Sequence, residues 1–221
     1  MPQVLKRASR FAALIVFAGL ASAAVTPPAS SATLDVRVEN QSQILYGATG
    51  VNVGGELYDV SFTNGTFNDL FDDGNALAFN NFDDALLAAQ ALLDQVLING
   101  FLPDQNRYVS FDSSPSLTNG LQGSNSGGFI RVPYATRFVN PFNFVEAAEA
   151  FNDFATFGGT PGGDDEARRP TSILTTTNDS ADYNYITYAV FTQSAVPEPA
   201  SLTLLSLATL TLLPPRRRPA P

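Results

Sequence analysis

The chain has 221 residues, 44% of them hydrophobic and 11% aromatic, with 12 Lys/Arg against 21 Asp/Glu and no His, Cys or Trp. That length holds one ordinary domain, and the apolar content excludes a disordered chain. The missing residue types exclude Ser-His-Asp and Cys-His catalysis, imidazole or thiolate metal sites and disulfides, and with Lys6 the only lysine, a mature body without it has no Schiff-base or Ser-Lys chemistry.

The first segment has three parts. Lys6, Arg7 and Arg10 precede the uncharged apolar stretch Phe11–Leu20, and small residues follow at Ala21–Ala24. A basic start, a short apolar centre and an A-x-A exit describe a secretory signal peptide over residues 1–24. Signal peptidase is expected to cut after Ala23 or Ala24, with Ala21 as the other small residue of the exit. The apolar stretch is too short for a comfortable spanning helix, which needs roughly 20 residues. Beyond it, the exported body 25–195 carries 20 Asp/Glu and 6 Arg, a net charge of −14. A body this acidic repels nucleic acid, whose phosphates are bound by Lys and Arg.

Within the body, Thr33–Asn40 alternates Leu34, Val36 and Val38 with Asp35, Arg37 and Glu39, the period of a half-buried strand. Ile44–Phe67 reads as two strands joined at Gly54-Gly55, the second ending at the turn Asn64-Gly65. Asn80–Gly100 has the pattern of a helix. Asn81 or Asp83 caps it, Leu86, Ala89, Leu93 and Val96 or Leu97 form its apolar stripe, and Asn99-Gly100 ends it. Asp112–Gly128 is a Gly/Ser/Asn-rich loop. Phe129–Phe138 is a strand in which Pro133 marks an edge or a bulge. Asn143–Phe154 reads as a short second helix, Gly158–Pro170 as a charged surface loop, and Tyr183–Gln193 as the last strand. Strands and two helices in irregular order predict an α+β fold: a single small domain with a strand hairpin and two helices.

Candidate chemistry is limited to carboxylates and tyrosines. Asp69, Asp72 and Asp73 resemble a calcium loop at first sight. Counting from Asp69, however, Phe71 and Asn80 fall where the EF-hand pattern demands ligands, so a turn with solvated acids is the preferred reading and no metal site is assigned. The cluster Gly162–Glu166 beside Arg168 and Arg169 reads as a surface loop with internal charge pairs. A glycoside hydrolase needs two opposed carboxylates; Glu146 and Glu149, three apart on the expected second helix, would be neighbours on one face. Tyr46, Tyr58, Tyr108, Tyr134, Tyr183, Tyr185 and Tyr188 are the aromatics that could stack on a sugar. The expectation is a protein without catalytic activity or cofactor. A polysaccharide- or Ca²⁺-binding surface module is the alternative, and a carboxylate glycosidase a distant third.

The last segment begins Val196-Pro197-Glu198-Pro199. It continues into Leu202–Leu213, seven of whose twelve residues are Leu, and ends in Arg216, Arg217 and Arg218. The uncharged run Ala200–Pro215 makes about 24 Å of helix, short of a hydrocarbon core of roughly 30 Å, and snorkelling arginines and a thinned bilayer close part of the gap. Positive charge at both ends places both on the cytoplasmic side before processing, and the body outside.

A Pro-Glu-Pro element, a hydrophobic helix and a terminal arginine cluster, in this order and behind a signal peptide, resemble the PEP-CTERM sorting signal of exported bacterial proteins. The resemblance covers residues 196–221. It implies a transmembrane sorting helix that anchors the chain transiently in the inner membrane of a two-membrane bacterium. There an exosortase recognises and cuts it near Val196–Pro199 and releases the body to the cell surface or the extracellular polysaccharide matrix of a biofilm. The tail departs from the family in its short, Thr-rich apolar run and in Pro214-Pro215 before the arginines, which bears on the efficiency of processing. Within the body, Gly50–Phe62 and Ala89–Leu97 resemble a passenger segment of other PEP-CTERM proteins, which brings no known activity.

Overall fold

Two-residue turns whose backbone is left-handed organise the first three strands. In a computed structural model that describes residues 32–102, 106–123, 127–153, 165–170 and 174–195, β1 (Thr33–Glu39) pairs antiparallel with β2 (Ser42–Val53), and β2 with β3 (Glu56–Thr63). The turns between them are Asn40-Gln41 and Gly54-Gly55, all four residues with positive φ. This geometry matches the right-handed twist of hairpin strands, and only the second turn has the glycines that signal it in a sequence.

After β3 the chain crosses to a short helix α1 (Phe67–Phe71), then to the longer helix α2 (Phe82–Gln95). A small hairpin of β4 (Asn99–Leu102) and β5 (Arg107–Ser110) follows. The long strands β6 (Gly128–Val139) and β7 (Phe142–Asn152) pair over almost their whole length, and β8 (Glu166–Arg168) and β9 (Ile186–Gln193) complete a seven-stranded sheet. Its order is β1-β2-β3-β9-β6-β7-β8, antiparallel except where β6 lies parallel to β9.

The α+β expectation is overturned: the described residues are 51% strand and 19% helix, a curled sheet with two short helices. The segment expected as a second helix is the strand β7. Its Ala- and Glu-rich composition favours helix locally, but eleven residues pair with β6 and the sheet is covered on both faces, so tertiary pairing overrides propensity. The register shift between Pro133 and Ala135 is the expected bulge. Part of the expected loop 158–170 is the edge strand β8. The expected C-terminal membrane helix lies outside the described residues. Among those described, no helix is long and apolar enough to cross a membrane.

One face of the sheet is covered by α2. Asn81 caps that helix, its side chain accepting from the Asp84 backbone N–H, and Asp83 and Asp84 suit the positive end of the helix dipole. The buried stripe is Ala85, Ala88, Ala89, Leu92 and Val96, displaced from the expected one; Leu86 and Leu93 are only partly buried. Small alanines let the helix approach β6, β7 and β8 closely. They pack with Leu45, Val51, Phe62, Ile130, Ala148 and Phe191 into the main core. The opposite face carries a second cluster in which α1 (Phe67, Phe71) and Leu174 cover Val145, Ile186 and Tyr188.

Candidate functional site

Three constellations carry polar chemistry. The first crosses the sheet. Thr63, Tyr188, Arg131, Glu149 and Arg168 are direct register partners on β3, β9, β6, β7 and β8, so they share one face in a single row. Arg131 Nη2 lies 3.4 Å from Glu149 Oε2, and Arg168 Nε lies 3.4 Å from Glu149 Oε1. Arg131, Glu149 and Tyr188 are fully buried. Burial raises the Glu149 carboxyl, with both arginines pulling it back, and lowers the Arg131 guanidinium against the pull of Glu149. Burial also pushes the Tyr188 phenol up to about 12. Arg168 closes the outer end of the row, its guanidinium 4.4 Å from the ring centre of Phe151. The row ties the five strands together, with Arg168 partly exposed at its outer end.

Strand geometry also corrects the reading of Glu146 and Glu149. Three apart on a strand, they point to opposite faces. Glu149 enters the buried row, whereas Glu146 is partly exposed and pairs with Arg137 at 3.3 Å. They form no catalytic pair.

The second constellation joins Asp112, Asp153 and Asp165. The Asp153 backbone N–H donates to Asp165 Oδ1 at 2.7 Å, and Asn99 Nδ2 donates to Asp112 Oδ2 at 2.8 Å. Burial, together with a hydrogen bond to the Asp112 carboxylate, pushes Asp165 up to about 6, while the Asp153 N–H pulls it down. Burial is the main cause, since it disfavours the charged form of the Asp165 carboxyl.

The third is an open groove of about 360 Å³ between the β2–β3 turn and the first half of α2. Val53, Gly54 and Glu56 form one wall and Asn80, Asp84 and Leu87 the other, with Tyr58 and Phe79 also lining it. Tyr58 and Phe79 lie 5.3 Å apart by ring centre, and Phe191 meets both edge-on. The Tyr58 hydroxyl donates to Glu56 Oε2 at 3.0 Å. Burial, then that bond, raise the phenol, with Asp84 adding to the effect. The volume falls in the range of small-ligand sites. Aromatic faces beside acceptor carboxylates, with no basic residue in the lining, suit a polyhydroxyl or cationic ligand. Sequence reasoning did not single out this groove, because its walls come from segments that meet only through the packing of α2 on the sheet.

The other expected residues fall as follows. Asp69 lies in the first turn of α1, where its backbone N–H and carboxylate both bond the Thr66 hydroxyl. Asp72 and Asp73 follow in a 3-10 turn with left-handed backbone. Among the described residues no three His, Cys, Asp or Glu side chains are grouped to hold a metal ion. Of the tyrosines that could stack on a sugar, Tyr108 and Tyr185 are exposed and Tyr188 is fully buried. Ala21, Ala23 and Ala24 of the expected signal exit, Val196, Pro197, Glu198 and Pro199 of the expected sorting motif, and Arg216, Arg217 and Arg218 all lie outside the described residues. No family model matches the chain, and neither a curated protein nor a solved structure matches it.

Proposed function

We propose that the chain is a non-catalytic exported protein of the cell surface or extracellular matrix, sorted by its C-terminal segment and released by an exosortase. The observation that carries this reading is the order of parts at 196–221: Pro-Glu-Pro, an uncharged run from Ala200 to Pro215, then three arginines. An uncharged run with a cationic end stops in a bilayer with the arginines on the cytoplasmic side, and the glutamate between two prolines then lies outside, where a processing enzyme can reach it. The basic, apolar and small-residue parts of residues 1–24 support export by the same logic. The test is to express the full chain with and without Val196–Pro199 in a host that carries an exosortase. The intact motif gives a shortened, released product. Deletion leaves a longer, cell-bound one, and an unchanged size and location in both would refute the reading.

The groove favours a second reading, a polysaccharide-binding surface module. Tyr58, half-buried, supplies the apolar ring, backed by the buried Phe79, and Glu56, Asp84 and Asn80 supply acceptors. Calorimetry of the full chain with neutral and amino-sugar oligosaccharides, repeated with Glu56→Gln and Asp84→Asn, tests it. Heat that the two variants abolish supports the groove, and no heat in the parent removes it. Ca²⁺ titrated in the same experiment tests whether a cation bridges the acidic loops.

A further inference from the structure

The β6–β7 hairpin leaves the sheet with an uncharged, apolar tip. Phe138-Val139-Asn140-Pro141-Phe142-Asn143-Phe144-Val145 holds three phenylalanines and no charge, and Arg137 and Glu146 flank it as an ion pair. Phe138, Val139 and Phe142 are 66%, 46% and 56% exposed.

The register distributes them over both faces. Val139 opposes Phe142, with Phe144 two residues on, on one face of the ribbon; Phe138 opposes Asn143 on the other. Docking on a protein partner uses one face of a ribbon. A tip that is apolar on both faces fits a medium that surrounds it. Three exposed side chains on a convex end also fall far below the roughly 1,200 Å² that a stable protein interface buries.

Strand polarity shows where this tip lies relative to the rest of the chain. β6 and β9 are parallel neighbours, with Arg131 level with Tyr188. The tip and the end of β9 at Gln193 therefore lie at the same end of the sheet. β6 runs on from Arg131 to Val139, whereas β9 runs from Tyr188 only to Gln193. With one residue taken up by the bulge between Pro133 and Ala135, the tip projects roughly 7 Å further at about 3.3 Å per residue. From Ala195 the chain reaches Ala200, where the uncharged run begins, and five residues span at most about 18 Å. A tail seated in a bilayer holds the tip within reach of that same bilayer.

We propose that the β6–β7 tip is a membrane-contact element that enters the headgroup–acyl boundary of a zwitterionic bilayer, with Phe138, Val139 and Phe142 as the inserted side chains and Arg137 and Glu146 as its polar collar. The inference rests on the sorting reading for what brings the body to the membrane. The −14 body is repelled by an anionic surface, which selects zwitterionic lipid. On the β7 side the Thr176 N–H donates to the Asn143 carbonyl and the Val145 N–H to that of Leu174, so that edge is paired up to Asn143, whereas β6 pairs with β9 only at Phe129–Arg131. The open β6 edge confines insertion to the boundary, because backbone groups without partners are not tolerated in hydrocarbon.

The chain has no tryptophan, so a single Trp reports its own surroundings. The full chain is prepared as Phe142→Trp, as Leu207→Trp in the tail, and as Tyr108→Trp. Tyr108 is an exposed residue of β5, whose following residue Phe111 accepts a hydrogen bond from Asn152, at the end of β7 away from the tip. Each is mixed with phosphatidylethanolamine–phosphatidylcholine vesicles carrying brominated acyl chains. Phe142→Trp is expected to shift its emission to the blue and lose about half its intensity, as befits a depth of roughly 5–10 Å, while Tyr108→Trp does not change. Quenching of Leu207→Trp without quenching of Phe142→Trp overturns the inference and leaves the sorting reading standing. Quenching of Phe142→Trp alone supports the inference and counts against the tail as the anchor, and quenching of neither overturns both. A blue shift that appears without vesicles and grows with protein concentration assigns the tip to self-association and also overturns the inference.

Discussion

Glu149 sits between two arginines from the strands on either side of it, Arg131 on β6 and Arg168 on β8, each with a guanidinium nitrogen 3.4 Å from one of its oxygens. Both Arg131 and Glu149 are fully buried. Such a pair adds little over well-packed apolar residues, but removing one member strands a charge in the core. Glu149→Leu is expected to cost about 3–5 kcal/mol in urea unfolding. Adding Arg131→Met to that variant should recover most of the loss, because the second substitution removes the stranded charge. A double variant as unstable as the single one would show that the row contributes through packing alone.

Asp165 gives the stability a specific pH signature. Its carboxyl is raised from 3.8 to about 6 in the fold. The folded chain therefore holds that proton more tightly than the unfolded one, and the associated stability is full below about pH 4 and lost as pH rises to about 6. Asp165→Asn keeps the acceptor for the Asp153 N–H and removes the titration. Because the side chain is partly solvated, the expected gain near pH 7 is discounted to about 1 kcal/mol. Denaturant midpoints of parent and variant should converge below pH 4 and separate by pH 7; parallel curves would show that Asp165 is not the group that titrates.

Gly47 on β2 pairs with Ser61 on β3 and leaves no room for a side chain. A Cβ there would come within 2.1 Å of the Val60 carbonyl oxygen, a backbone atom that the pairing of Ala48 with Val60 holds in place. Gly47→Ala should destabilise the fold by about 3 kcal/mol, read from the unfolding midpoint. Gly55→Ala meets open space at a left-handed turn residue and should cost about 1 kcal/mol, from backbone strain alone.

Asn81 caps α2, and α2 forms one wall of the groove. Asn81→Ala should lower stability by about 1 kcal/mol, and Asn81→Asp should lower it too, because the Asn81 amide nitrogen donates to Asp84 Oδ2 at 2.6 Å and a second carboxylate there would repel it. Hydrogen exchange over 82–87 checks that the loss is local, with faster exchange confined to the first turns in the alanine variant.

The hairpin at Gly54-Gly55 and the helix behind Asn81 were legible because turn glycines and a cap residue act through the local backbone. β7 was not. Val145, Ala148 and Phe151 recur at helical spacing, and nothing local reveals that Val145, Ala147, Ala148 and Ala150 are all buried because the sheet is covered on both faces. Glu149 misled for the same reason. A carboxylate in an Ala-rich stretch reads as a solvated helix face, and only the cross-strand partners Arg131 and Arg168 explain its burial. The Asn40-Gln41 turn escaped notice because neither residue is glycine. The groove was illegible, since residues 53–58 and 78–87 meet only through tertiary packing, whereas the order of Pro-Glu-Pro, apolar run and arginines at 197–218 is a contiguous pattern that needs no fold to be read.

The most direct measurement is the intact mass of the protein recovered from its own host, fraction by fraction. The expected species lies at the cell surface or in the extracellular matrix, begins after Ala23 or Ala24, and has lost the segment beyond the Pro-Glu-Pro at 197–199. A cytosolic protein that retains both Lys6 and Arg216–Arg218 would contradict the account.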